Sequence, residues 1–542
     1  MKTIQIILLS AILISAASCK KDFLDRQATD AIPEDKIFND PALMQLFVNN
    51  MYLDIPGFER GFPPGLLNNI TDESRSYWGG APTNVLQGQW FADNNPLELW
   101  DYTGVRKTNM FLEKVDASPA DEEEKAILKG QVKVLRAFLY FRMVKRYGGV
   151  PLITKAQTLE DDLFVPRETM DNCFNFIVSE LEEAVEMLPE TYGDRALDVG
   201  KFNKHSAKAL LGRVLLFWAS PLYNPGGDNS LWEKAAAVNR EVIETQQYSL
   251  HADFRRIMLD KNNNEEVFSV QYLKGFREHG YDSWAMPDSR SKQMAVAHSP
   301  VQEFVDAFEM KNGKRIDEPG SGYDPANPYE NRDPRFLQTV IVNGSIFGFQ
   351  NLPVWMYVGA DIDGINKPYA TVTGYLLRKG TDETNKDYYG LAGSDQNFNE
   401  LRYAEVLLNY AEAQNEALPA PDASVYNAIE QIRQRAGLDP YQLPAGLTKG
   451  QMRERIWHER YIELSFEFKR YWDLRRWKVA KEVLDGKKFN AMYITKTGDE
   501  QYSYEAKPVD GVPCVFQEKM YFMPIPQREI EKNPNLEQNE DW

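Results

Sequence analysis

The stretch LRYAEVLLNYAEAQNEALPAPDASVYNAIEQIRQRAGL, Leu401 to Leu438, carries two apolar stripes separated by a proline-containing turn. Leu401, Ala404, Leu408 and Ala411 recur at intervals of three and four, and so do Val425, Ile429, Ile432 and Ala436. That spacing puts each set on one face of an α-helix, and Gly437 marks the end of the second. Alanines within the stripes let two antiparallel helices approach closely. The stretch therefore predicts a helical hairpin that needs neighbours to cover its apolar faces.

The same period extends outward along the chain. Leu128, Val132, Leu135, Leu139 and Met143 form a stripe begun by Asp121 and Glu122 to Glu124 and ended by Gly148-Gly149. Phe174, Ile177, Leu181, Val185 and Leu188 mark a helix from Met170 that Pro189 stops. Ala207, Leu210, Leu211, Val214, Leu215 and Trp218 mark one from about Asn203 to Ser220, and another begins near Trp232. A long charged helix is expected from Lys449 to about Leu484. Stacked hairpins of this kind are tetratricopeptide-like, although the strict 34-residue consensus is absent, so the units are degenerate. Between the helical runs, residues 56–102 and 275–400 are rich in Gly, Pro, Asn, Asp and aromatics without a period. Long loops in a compact protein are usually functional. VFSVQY (Val267–Tyr272) and LQTVIVNG (Leu337–Gly344) read as short strands. The fold class is thus mainly α, with long irregular loops and a few short strands.

The N-terminus has a basic Lys2, an apolar run from Ile4 to Ile14, and small residues leading to Cys19. The run is shorter than the ~20 residues needed to span a bilayer and fits a secretory signal peptide over 1–18. A cysteine after Ala17-Ser18 fits a lipid-anchored product, although Ala16 stands where a lipobox usually has Leu. The formal net charge of −18 disfavours nucleic acid and anionic lipid surfaces. A 12% aromatic, 43% hydrophobic composition marks a globular chain. His205, His251, His279, His298 and His458 show no metal-ligand spacing, so neither metal nor cofactor is expected.

Two loop segments carry candidate chemistry. In NNITDESRSYWGGAPTNVLQGQWFADNNPLELWDY, Asn68 to Tyr102, aromatics alternate with amides, carboxylates and Arg. A sugar ring has an apolar C–H face and a hydroxyl rim, which flat aromatic platforms beside such polar groups recognise. The expected ligand contacts there are Asp72, Arg75, Tyr77, Trp78, Trp90 and Asn94, whereas Trp100 and Tyr102 adjoin a helix-like run and read as core. In GFREHGYDSWAMPDSRSKQ, Gly275 to Gln293, they are Tyr281 and Trp284. Glu459, Glu463 and Glu467 lie at i, i+4 spacing amid Arg455, Arg460, Lys469 and Arg470, and read as an ion-pair face rather than catalytic carboxylates. No GxSxG, P-loop or GxGxxG is present, and no catalytic residue is assigned.

Taken in order, CKKDFLD, LRAFLYFRMVKRYGGVPLI, VPRETMDNCFNFIVSELEEA, NRDPRF (Asn331–Phe336), TGYLLRKG, LRYAEVLLNYAEAQNEA, IWHERYIELSFEFKRYWDLRRW and YFMPIPQREIEKNPNL resemble the SusD/RagB family of nutrient-uptake lipoproteins. The resemblance spans the chain from Cys19 to the C-terminus. It implies about four tetratricopeptide-like units in one compact body over 19–542, with an N-terminal region of about 19–220 and a C-terminal region of about 265–542. It further implies a lipid anchor at Cys19, a cell-surface position on the outer membrane, and a partner, a SusC-like TonB-dependent transporter barrel. The function it implies is non-enzymatic capture of an oligosaccharide for delivery to that barrel. Peptide cargo is the alternative within this class. An extracellular polysaccharide hydrolase, or a scaffold that binds only the barrel, are alternatives outside it.

Overall fold

The computed structural model describes residues 34–58, 66–193, 199–291, 296–387 and 392–542; the expected signal segment and Cys19 lie outside them. The principal helices, in chain order, are α1 (Pro41–Met51), α2 (Thr103–Lys114), α3 (Glu122–Tyr147), α4 (Met170–Met187), α5 (Lys204–Ala219) and α6 (Asn229–Glu244). After a long excursion come α7 (Tyr403–Ala417), α8 (Ala423–Ala436), α9 (Lys449–Glu463), α10 (Arg470–Arg476) and α11 (Ala480–Leu484). Their ends follow local chemistry. Asp121 caps the Glu124 amide of α3, and Asn203 and Thr448 head capping boxes on α5 and α9. Gly437 closes α8 in the left-handed conformation at φ 83°.

Each helix lies on the next, from α2 through α9, giving the pairs α2/α3, α4/α5, α6/α7 and α8/α9. The hairpin read from Leu401–Leu438 is present, and its first helix also lies against α6. Close approach is visible at Gly212 of α5, where a Cβ would stand 2.6 Å from the amide of buried Asn239 on α6. Helix α7 is the axis of the stack, buried on every side from Tyr403 to Glu416. Its carboxylates each meet a cation: Glu405 with Arg213 at 2.6 Å, Glu412 with Arg476 at 2.5 Å, and Glu416 with Arg453 at 2.5 Å. Burial alone would raise the Glu405 carboxyl, but Arg213 and Lys469 hold it far below the usual carboxylate range.

Between α6 and α7 lies the excursion 245–402, which returns through an antiparallel pairing of Glu266–Val270 with Phe398–Arg402. A buried ion-pair network joins this excursion to the stack. Arg402 contacts Glu265 (2.6 Å), Glu463 (2.7 Å) and Glu467 (2.8 Å), and Arg335 contacts Asp333 (2.8 Å) and Glu463 (2.9 Å). Arg435 also reaches Glu463, and the ammonium of Lys379 lies 2.7 Å from Glu467. Burial pushes the Glu463 carboxyl up, yet Arg435, Arg402 and Arg335 bring it well below the ordinary range. The Glu459–Glu463–Glu467 series is therefore an inter-helix ion-pair face.

Two expectations are corrected. The run from Lys449 to Leu484 is three helices rather than one. Phe466 and Phe468 take φ of 59°, burying both rings and turning Glu467 towards Arg402 and Lys379. Of LQTVIVNG, the start is helical (Arg335–Thr339) and only Val340–Ile341 is strand. A hairpin of Asn490–Gly498 and Gln501–Pro508 adds the longest strands. Cys173 and Cys514 are free and buried.

Gly212→Ala forces a methyl group against Asn239 and is expected to cost about 1–3 kcal/mol. Arg402→Ala strands buried carboxylates and is expected to cost about 3–5 kcal/mol. Denaturant unfolding of both variants measures these losses, and a parent-like midpoint for Arg402→Ala would contradict the network's role.

Candidate functional site

Three loop segments meet on a short backbone ladder. Ser74–Arg75 pairs antiparallel with Ser299–Pro300, and the contact continues as the Tyr77 amide donates to the Val296 carbonyl at 3.1 Å. The Val296 amide in turn donates to the Tyr369 carbonyl (3.0 Å), and the Ala297 amide to the Trp284 carbonyl (2.9 Å). The dipeptide Val296–Ala297 thus gathers Tyr77, Trp284 and Tyr369 from distant parts of the chain. Asn69 locks it from behind, donating to the Ala297 carbonyl at 2.8 Å.

The side chains above this ladder form an aromatic cluster. The Tyr77 ring lies 5.5 Å from Tyr369 and 6.2 Å, edge-on, from Trp78. Trp78 is 50% exposed and Tyr369 40%, so both offer free faces; Tyr77 and Trp284 are half-buried. Asn366, exposed on the same loop as Tyr369, donates to the Tyr493 hydroxyl at 3.2 Å. Lys507 lies over the Tyr493 ring at 5.1 Å. Tyr369 has φ of 66°, a conformation that costs a bulky L-residue about 1–2 kcal/mol. Such strain concentrates where geometry serves function.

The structure takes several of the expected contacts out of a ligand's reach. Asp72 is buried in an ion pair with Arg470 (2.6 Å), and Arg75 in one with Asp510 (2.7 Å). Tyr281 is 4% exposed, donating its hydroxyl to the Lys379 carbonyl and lying 4.6 Å from Phe58. Trp90 is 1% exposed because Trp542 covers it at 4.7 Å. Asn94 is exposed in a turn with Phe91, on a loop that rests on the C-terminal segment through Ala92 and Gln527. Trp78, Tyr77 and Trp284 remain with the ladder. Tyr369 was missed by sequence reasoning, where its only signal was an aromatic in a Pro- and Asn-containing loop.

Buried carboxyls support these aromatics. Asp282, next to Tyr281, accepts from Asn385, Ser394, Gln396 and the Asp382 amide, which fixes the turn bearing Trp284. Burial pushes its carboxyl up to about 6. Beneath the Tyr77 strand, Glu73 is 1% exposed and accepts the Phe466 amide at 3.0 Å. Burial pushes this carboxyl up to about 8, against the pull of that amide.

This architecture, a helical-repeat body presenting an aromatic loop site, is that of a binding protein. Comparison with known proteins agrees. Residues 254–542 match the model of the SusD family, and residues 22–216 match one described as "Starch-binding associating with outer membrane". The chain belongs to the SusD family and is associated with the outer membrane by that second match. SusD-like protein P2 of Formosa agariphila is 26% identical over 504 residues, covering 88% of this chain and 86% of that protein. The crystal structure of a SusD-like protein from Bacteroides fragilis is 29% identical with a TM-score of 0.78, covering 95% of this chain and all of that one. A SusD-like carbohydrate-binding protein from the same species is 24% identical with a TM-score of 0.79, covering 93% and 100%.

Between the usual carboxylate value of 4.5 and about 8, folded Glu73 keeps a proton that the unfolded chain releases. Stability therefore declines with rising pH across that window, by up to about 1.4 kcal/mol per pH unit from this group. Glu73→Gln is expected to flatten that part of the profile and to raise stability at pH 7.5. Unfolding free energies at several pH values measure both effects.

Proposed function

We propose that this protein captures a glycan on the cluster of Tyr77, Trp78, Trp284 and Tyr369 at the cell surface and passes it to a SusC-like TonB-dependent transporter. The observation that carries this reading is the ladder at Val296–Ala297, which brings Tyr77 and Trp78 beside Tyr369, with Trp78 and Tyr369 exposed and the backbone of half-buried Trp284 bonded to the same ladder. Flat rings cover sugar C–H faces at small entropic cost, and Asn366 and the Tyr493 hydroxyl supply groups for the hydroxyl rim. Membership of the SusD family and a relative named as carbohydrate-binding support the same ligand class. Delivery to the barrel and the Cys19 anchor come from the family resemblance and complete the proposal. Binding rather than cleavage is the role, in keeping with membership of the SusD family.

Affinity electrophoresis or calorimetry across a polysaccharide panel tests the site. Trp78→Ala and Tyr369→Ala are expected to weaken the glycan that binds by about tenfold or more each, in line with loss of a ring platform. Asn94→Ala is expected to bind as the parent does. If no glycan binds, or if the Trp78 and Tyr369 variants bind normally, the reading fails.

A further inference from the structure

The strand Ser74–Arg75, which leads into Tyr77 and Trp78, has only two ladder residues, too few to fix its own orientation. Two buried bidentate ion pairs flank it instead. On one side, the Arg470 guanidinium gives Nε and Nη2 to the Asp72 carboxylate at 2.9 and 2.6 Å. The Tyr461 hydroxyl donates to the Asp72 carbonyl at 2.7 Å, and its ring lies 3.9 Å from the same guanidinium. Three residues on, Arg75 gives Nε and Nη2 to Asp510 at 2.7 and 3.0 Å, while its Nη1 donates to the Thr71 and Ser74 carbonyls. Asp510 is itself fixed, because its Oδ2 accepts the Phe489 amide at the base of the 490–508 hairpin. The charged side chains in both pairs are at most 12% exposed.

Buried pairs of this kind add little net stability over apolar replacements, but their paired hydrogen bonds fix position and rotation together. We propose that Arg470 and Asp510, from distant parts of the chain, are positioning residues for ligand binding: they hold residues 72–78 so that Tyr77 and Trp78 present a ready-made platform. Arg470 does so from α10, and Asp510 from the base of the hairpin. The proposal rests on the reading of Tyr77 and Trp78 as a ligand platform. A platform set before the ligand arrives avoids the entropy of ordering it on binding.

The test uses the full chain, hydrogen exchange without ligand, and calorimetry with whichever polysaccharide the panel shows the parent to bind. Asp510→Asn is expected to speed exchange at residues 74–77 by about tenfold while residues 122–147 stay unchanged, and to weaken binding about tenfold. Asp510→Glu is expected to recover part of both. The double variant Arg75→Leu with Asp510→Leu removes the pair without stranding a charge. It also frees the Thr71 and Ser74 carbonyls and the Phe489 amide, so a modest fall in melting temperature is expected, smaller than that of Asp510→Asn. The affinity loss is expected to be at least as large as that of Asp510→Asn, a split that a merely stabilising role does not produce. Parent-like binding by the double variant, or unchanged exchange at 74–77 in Asp510→Asn, would overturn the positioning role. A parent that binds no polysaccharide removes the platform reading instead, so the two failures are told apart.

Discussion

Glu463 is fully buried, and three guanidinium groups converge on it. Taking a carboxylate out of water costs several kcal/mol unless partners replace the lost hydration, so those partners must arrive together. Arg335 comes from the excursion, Arg402 from the strand that closes it, and Arg435 from the end of α8. One buried anion thus requires that the excursion, the strand pairing and the last two helical pairs all take their places. Glu467 extends the same demand to Lys379. At the break after α9, formed by Phe466 and Phe468, Glu467 lies within reach of both Arg402 and Lys379.

The proposed binding face is tied to this core by hydrogen bonds. Phe466, at that break, donates its amide to Glu73, which lies directly beneath the strand of Tyr77. Lys379, bound to Glu467, offers its carbonyl to Tyr281, one turn from Trp284. The segments that bear Tyr77 and Trp284 are therefore each hydrogen-bonded to residues at or beside the ion-pair network. The loops are irregular in conformation but anchored at each point where an aromatic emerges.

Much of this was legible in sequence where the physics is local. The stripes of α3, α4 and α5, the caps at Asp121 and Asn203, and the left-handed stop at Gly437 depend on residues within a few positions of one another. The ion-pair character of Glu459, Glu463 and Glu467 was legible from the neighbouring arginines, but not their burial, which depends on Arg335 and Arg402. The break at Phe466 was hidden because ELSFEFKRYW contains neither Gly nor Pro. Trp78 and Trp90 sit in similar polar surroundings in the sequence. What separates them is Trp542 at the far end of the chain, which covers one and not the other. Tyr369 had only the weak mark of an aromatic in a Pro- and Asn-containing loop, since its place beside Tyr77 depends on the ladder through Val296.

The placing of the excursion between α6 and α7 bears on how the molecule assembles. Helix α6 cannot meet α7 until the chain has closed a loop of about 160 residues, yet closure entropy grows only with the logarithm of length. Relative to a 20-residue connection the extra cost is about 2 kcal/mol. The delay is the larger effect, because long-range contacts form late. The first two helical pairs and the α7/α8 hairpin are local in sequence, whereas the apolar face of α6 is covered only by a contact that spans the excursion. The loop that carries Trp284 and Tyr369 in the proposed binding face is thus held by the same closure that brings α6 against the centre of the stack.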